Sequence, residues 1–265
     1  MRNFHTQNQK KIIKSFNKNG YYIFDIKDKK NLNEIKKTTI NLSEKFLKKK
    51  LNKNFLENTH HYMNSHKLNK FRMKIYSNLN SKKWLLHSYY QIAKKELSIL
   101  CGNELVMQRK INLSIQMPED DSSLLPLHSD VWSGCSPFEV VIWIPLVDCK
   151  NTNSMHILPK DKNDFLYNNL IYFNSVDEIE KKFLKYAKSL NIKYGQGLIF
   201  LQSILHGNKV NNEKTTRWSF NCRFKSIFSP YDKKTIGETF LPITLKAVSI
   251  NAMNYKDPNV KKKNF

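Results

Sequence analysis

The sequence predicts a mainly β protein with flanking helices (α+β): an all-β barrel or double-sheet jelly roll, backed by N-terminal helices. Three observations carry this. After residue 103 short strand-like runs follow one another, punctuated by Asn, Gly and Pro. Most of the first hundred residues carry helical rather than strand periodicity. The chain has 265 residues, 40% hydrophobic and 12% aromatic, enough for a sizeable core and unlike a disordered segment.

The elements follow in order. Residues 5–18 suit a short polar helix anchored by Ile12, Ile13 and Phe16, and Asn19-Gly20 stops it. YYIFDI, 21–26, reads as a strand. Residues 30–53 are expected to be helical, with Leu32, Ile35, Ile40, Leu42, Phe46 and Leu47 near helical spacing. Residues 55–80 read as irregular and polar, and 82–102 as a second long helix ending at Gly102. Strands are expected at 109–117, 125–132, 139–148 and 154–160, then a helical insertion at 175–190, then extended runs at 197–204, 205–210 and 215–226. This divides a single domain, 1–265, into a helical support (1–102), a β-barrel core (103–228) and a C-terminal extension (229–265) whose tail, VKKKNF, is expected to fray.

The formal charge is +23, unevenly spread. Residues 1–100 hold 23 Lys+Arg against 6 Asp+Glu, a net of +17, and the remainder holds 22 against 16. An anionic partner is one explanation; Lys/Asn-rich coding that decorates solvated helix faces is the simpler one, because only five of the 45 basic residues are arginine. No basic helix with interleaved aromatics is evident, so nucleic acid is an unfavoured partner that charge alone does not exclude. No apolar run is long enough to span a bilayer, and the charged N-terminus lacks the apolar stretch of a secretory signal. Cys101, Cys135, Cys149 and Cys222 show no paired spacing and read as reduced thiols, so a cytoplasmic location is expected.

Chemistry enters at LPLHSDVW, residues 125–132. In a strand, residues two apart face the same way, so His128 and Asp130 can address one centre. His206, beside Gly207, is the best third ligand, with His156 a competitor. Two imidazoles and one carboxylate leave coordination positions open, a set that favours Fe(II) in an oxygen-activating site. His5, His60, His61, His66 and His87 lie in the polar helical region and suit surface or structural roles.

In TTRWSFNCRF, strand alternation places Arg217, Ser219, Asn221 and Arg223 on one face and Trp218, Phe220, Cys222 and Phe224 on the other. The aromatic face can pack on the helices, and the polar face then looks into the barrel. Two buried arginines are costly unless an anion meets them. Arg217 can grip a carboxylate with two parallel N–H bonds, and Ser219 can add a third. The alternative is an Arg217 paired with an internal Asp or Glu. Asn112 and Gln116 share a face of the preceding strand and can bond cofactor or substrate, or serve ordinary barrel packing. Trp143 can wall the pocket, and Trp132 and Asn208 flank the proposed ligands.

With these residues in hand, the segment from about 109 to 226 resembles the Fe(II)/2-oxoglutarate-dependent dioxygenases, within them the phytanoyl-CoA-dioxygenase-like branch. The matching pieces are HSD, VVIWIPLVDC followed by NSMHILPK, GQGLIFLQSILHG, and TTRWSFNCRF, with an Arg-x-Ser eleven positions beyond the distal histidine. HSDVWSGCSPFEVVIWIPLVDC looks like a bacterial subgroup named for sporadic carbohydrate-biosynthesis gene clusters. The resemblance implies a double-stranded β-helix, iron on His128, Asp130 and His206, and the distal carboxylate of the co-substrate 2-oxoglutarate on Arg217 and Ser219, with O2 as oxidant. Arg223 lies outside the minimal pattern and would support the site or touch substrate, as would Trp132 and Asn208. A carboxylate at Asp130 favours hydroxylation over halogenation, where a small residue leaves room for chloride. The implied substrate is a small polar molecule, anionic or sugar-linked. The rivals are a cupin-like sugar isomerase or epimerase, which needs neither oxygen nor an arginine clamp, and a nucleic-acid-modifying relative.

Overall fold

The computed structural model describes residues 4–230 and 233–256; the tail 260–265 lies outside them. Helix α1 (Gln7–Asn19) opens with a reciprocal capping box between Thr6 and Gln9 and stops at Gly20, whose φ of 76° suits glycine. It leads into strand β1 (Tyr21–Asp25) and then α2 (Lys29–Leu47). α2 ends before the expected residue 53. Lys48 turns left-handed, and the Glu44 carboxylate accepts the Leu51 N–H at 3.0 Å, folding the chain back.

Two more helices follow, α3 (Ser65–Asn80) and α4 (Leu85–Leu100), so four helices rather than the three expected precede the β-core. The region 55–80 is not irregular throughout. Leu68, Phe71, Ile75 and Leu79 form a buried stripe on α3, and Asn64 caps its start. Its flanking Asn, Lys and Ser residues dilute the stripe without breaking its period. Lys10, Lys11, Lys14, Lys18 and Lys37 lie exposed on α1 and α2, as solvated helix faces should.

The rest of the chain supplies β2 (Leu105–Gln108), β3 (Asn112–Gln116), β4 (Val140–Pro145), β5 (His156–Ile157), α5 (Lys160–Asn168), α6 (Val176–Phe183), β6 (Lys188–Ser189), β7 (Gln196–Leu201), β8 (His206–Gly207), β9 (Arg217–Ser226), β10 (Phe240–Pro242) and α7 (Ala247–Met253). The expected strand 154–160 shrinks to two residues because Pro159 starts α5. Only 176–183 of the helical insertion is α-helix. Part of the C-terminal extension joins the fold, because β10 pairs with β2.

These strands make a seven-stranded antiparallel sheet, in the order β1-β7-β4-β9-β2-β10 with β3 also on β9, and a small sheet β6-β5-β8. Residues of both sheets line one cavity, and the four N-terminal helices pack outside the large sheet. β9 joins the layers. Its outer face sets Trp218 edge-on against Phe71 of α3 at 5.7 Å, and the indole N–H donates to Thr59 at 2.9 Å. The Tyr89 hydroxyl on α4 donates to the Ile142 carbonyl at 2.9 Å. Its inner face carries Arg217, Asn221 and Arg223 into the cavity. Among the described residues no helix is long and apolar enough to cross a membrane.

Phe71→Ala removes a fully buried ring that packs on both Trp218 and Phe46. It is expected to cost about 3–5 kcal/mol, read as a lower urea midpoint at unchanged slope. A cost below about 1 kcal/mol would show that α3 does not brace β9.

Candidate metal centre

The site begins as a backbone arrangement. His128 N–H donates to the His206 carbonyl at 3.0 Å and His206 N–H returns the bond at 2.9 Å. A reciprocal pair of this kind places both side chains on one face of the ladder. Single hydrogen bonds flank the pair on either side, Asn208 N–H to the Leu125 carbonyl at 3.0 Å and Asp130 N–H to the Gln202 carbonyl at 3.1 Å. Gly207 permits it: a Cβ there would sit 2.7 Å from the Leu125 carbonyl oxygen and 3.0 Å from that of Pro126. The glycine serves close backbone approach.

The strand expected over 125–132 does not form. His128 sits in a single bridge, and Asp130 opens a 3-10 turn, Asp130–Ser133, that ends at Gly134 with φ 80°. His128 and Asp130 therefore share a side because the chain turns after the bridge, not through strand alternation. Ser and Asp favour such turns over strands. Around the turn, the Ser129 hydroxyl donates to the Gln202 carbonyl at 3.1 Å and receives the Tyr167 hydroxyl at 2.8 Å, while the Gln202 amide reaches buried Glu139 at 3.1 Å.

The orientation of each ring follows from its neighbours. The Nδ1 of His128 lies 2.7 Å from the Pro126 carbonyl, and that of His206 lies 3.0 Å from the Ile204 carbonyl. Carbonyls only accept, so each Nδ1 carries a proton, and in a neutral ring Nε2 is left with the lone pair. Those lone pairs face one carboxylate. His128 Nε2 is 3.8 Å from Asp130 Oδ1, and His206 Nε2 is 3.9 Å from Asp130 Oδ2. Ligand atoms of all three residues lie within 4.8 Å of one another. Burial pushes the His206 imidazole well below its ordinary pKa, against the opposing pull of Asp130. With both rings neutral the three groups converge as acceptors, and this donor set fits a metal ion. Arg223 Nη2 donates to Asp130 Oδ1 at 3.1 Å, and its Nη1 donates to Gln108 at 3.2 Å, which anchors the carboxylate.

The cavity that holds these groups measures about 530 Å³. Arg217 lies buried in its wall; Nη2 donates to the Ser114 hydroxyl at 3.1 Å and Nε has no partner. Burial lowers its pKa, and among the described residues no carboxylate forms an ion pair with it. The internal-acid alternative is thus absent. The Ser219 hydroxyl, opposite Ser114 in the β3–β9 register, is buried and also unpartnered.

The other expected residues divide. Asn112, Trp143 and Asn208 line the cavity together with His128, Asp130 and His206. Asn112 donates to Asn221 at 2.9 Å. The Asn208 side chain is engaged by the loop above it, accepting from Leu125 N–H and donating to the Ser123 carbonyl. Gln116 and Trp132 do not line the cavity. Gln116 is buried and donates to the Lys209 carbonyl at 2.6 Å; Trp132 packs against the cluster of Leu127, Leu158 and Phe183. Ser219 is likewise outside the cavity wall. His156 pairs with Gly207 in β5 and stands apart from the three-residue cluster. His60 contacts Thr216 at 2.9 Å, whereas His61, His66 and His87 are exposed. Sequence reasoning missed Ser114, although the alternation that joined Asn112 to Gln116 includes it. It also missed Arg72, whose only signal was the rarity of arginine.

No protein-family model matches the chain, and no curated protein does. Solved structures do. A non-heme monooxygenase, ThoJ, in a nickel complex, is 16% identical, with 92% of this chain and 93% of that one covered and a TM-score of 0.54. EctD from S. alaskensis, with 2-oxoglutarate and 5-hydroxyectoine, is 12% identical over 87% and 80% of the two chains, with a TM-score of 0.55. SnoN, a non-heme alpha-ketoglutarate-dependent epimerase from nogalamycin biosynthesis, is 11% identical over 87% of each, with a TM-score of 0.50. At these identities the likeness establishes the fold: the jelly roll of the non-heme 2-oxoglutarate oxygenases, with helices flanking its sheets.

Gly207→Ala is expected to force the 125–128 segment off β8 and weaken binding of a divalent metal such as Ni(II) at least tenfold, with helical circular dichroism unchanged. Equilibrium dialysis reads this, and unchanged metal affinity would show that the ladder does not set the site.

Proposed function

We propose that the protein is an Fe(II)- and 2-oxoglutarate-dependent oxygenase of the phytanoyl-CoA-dioxygenase-like branch, hydroxylating a small polar substrate such as a sugar or nucleotide-linked sugar. One observation carries the reading. A His-Asp-His cluster, with Asp130 and His206 buried, and a buried arginine without a carboxylate partner among the described residues share one cavity. The first fits a divalent metal with open positions; the second fits the far end of a dicarboxylate. The fold's occurrence in structures described as holding iron or 2-oxoglutarate is consistent with both.

His128 and His206 would hold the metal through Nε2, and Asp130 through its carboxylate. The two carbonyls behind the rings keep the donor atoms in place, as orienting partners do at metal sites. Arg223 keeps Asp130 from swinging away. Arg217, with Ser114, would take the distal carboxylate and fix the co-substrate's orientation. Iron, 2-oxoglutarate and O2 together supply oxidation of an unactivated C–H bond, with succinate and CO2 released. The chain's part is positioning and exclusion of water: Trp143, Val141 and Phe200 form apolar wall, while Asn112 and Asn221 offer amides to a polar substrate. Their amides already bond each other, so a substrate hydroxyl would insert into a formed pair.

SnoN, an epimerase on this fold, favours one second reading, in which the same groups invert a substrate carbon without adding oxygen. Labelled O2 separates the two, because one atom enters succinate in either case and only hydroxylation puts the other into the substrate-derived product.

His206→Ala is expected to abolish the Fe(II)–2-oxoglutarate charge-transfer absorption and succinate formation, with thermal unfolding still cooperative. Arg217→Lys loses a bidentate charge-assisted contact of about 1.5–3 kcal/mol, which is roughly a 10- to 100-fold weaker requirement-setting affinity for 2-oxoglutarate. Unchanged succinate yield in the first and unchanged 2-oxoglutarate dependence in the second would remove the assignment.

A further inference from the structure

A third guanidinium enters the cavity wall from outside the sheets. Arg72 lies on α3, next to the Phe71 that packs on Trp218. Two hydrogen bonds pin the far end of that helix to the start of β3: Asn80 Nδ2 to the Ile111 carbonyl at 3.0 Å, and Ile111 N–H to Asn80 Oδ1 at 2.8 Å. Arg72 is therefore held at the cavity by a braced helix. It is half-buried, and its one hydrogen bond goes to the neutral Asn69 amide oxygen, 2.8 Å away. No carboxylate among the described residues pairs with it.

The choice of residue is informative. The chain has 40 lysines and five arginines, yet three of those arginines and none of the lysines line this cavity among the described residues. Guanidinium offers a planar fork that matches carboxylate or phosphate, which an ammonium does not. Charge points the same way. Among the described residues, Arg72, Arg217 and Arg223 share the wall with one carboxylate, Asp130, a surplus of two positive charges when the imidazoles are neutral. A divalent metal and a dicarboxylate co-substrate cancel each other and leave that surplus. Arg223 is spent on Asp130, and Arg217 would be spent on the co-substrate. A cavity of about 530 Å³ lies in the range that encloses drug-sized ligands, so a five-carbon acid fills only part of it.

We propose that Arg72 binds an anionic group, phosphate or carboxylate, on the primary substrate, which is therefore an anion. The inference rests on the reading that Arg217 takes the co-substrate. Calorimetric titrations of the full chain with glucose 6-phosphate, glucuronate and glucose test it, with and without saturating 2-oxoglutarate. The wild type is expected to bind at least one anionic probe at least tenfold more tightly than glucose, the two anions separating a phosphate from a carboxylate preference. Arg72→Gln is expected to remove that advantage, Arg72→Lys to restore part of it, and both to leave 2-oxoglutarate affinity within twofold. Equal affinity for charged and neutral probes in the wild type, unchanged anion binding in Arg72→Gln, or an equal loss for all three probes would each overturn it. Arg217→Gln with undiminished 2-oxoglutarate affinity would instead remove the co-substrate reading, while the titrations without 2-oxoglutarate still decide the role of Arg72.

Discussion

Two reciprocal backbone hydrogen bonds, between His128 and His206, are the constraint on which the site depends. They join segments 78 residues apart and put two imidazoles on one face, with ring centroids 4.5 Å apart. The rings' remaining freedom is removed by carbonyls two residues upstream of each, which accept the Nδ1 proton and turn Nε2 toward Asp130. Gly207 is what allows the two backbones to approach so closely. The chemical groups are thus aligned by main-chain geometry before any ligand arrives, the condition for binding without reorganisation.

β9 ties that geometry to the rest of the molecule. Its outer residues anchor the helical layer through Trp218, and its inner residues supply Arg217 and Arg223. The two arginines have different electrostatic fates. Arg223 is compensated by Asp130, so it stabilises and positions the carboxylate. Among the described residues Arg217 has a serine hydroxyl as its side-chain partner and an orphaned Nε, so its burial is a standing cost that an anion would relieve. An element that packs tightly on one face can carry an uncompensated charge on the other, because the burial of Trp218, Phe220 and Phe224 offsets it.

Much of this was legible in the residues. The sorting of TTRWSFNCRF into aromatic and polar faces is a property of strand alternation, and the structure follows it. His128, Asp130 and His206 converge as expected, though the strand invoked for the first two is a bridge and a 3-10 turn. Other features depend on distant neighbours and could not be read locally. The need for glycine at 207 arises from the carbonyls of Leu125 and Pro126. α3 was hidden because its four buried positions are diluted by polar residues, and with it went Arg72, whose place in the cavity exists only once that helix is docked. Gln116 shares a face with Asn112, yet the Lys209 carbonyl takes its amide. Alternation gives the side of a strand and not the depth along it.

Anomalous diffraction at the iron edge, on crystals grown without oxygen in Fe(II) and 2-oxoglutarate, tests the central claim most directly. One dominant peak is expected, bonded to His128 Nε2, His206 Nε2 and the Asp130 carboxylate, with Arg223 still on that carboxylate and ligand density ending at Arg217. A peak bound elsewhere, or a His206 ring turned from the other two residues, would contradict it.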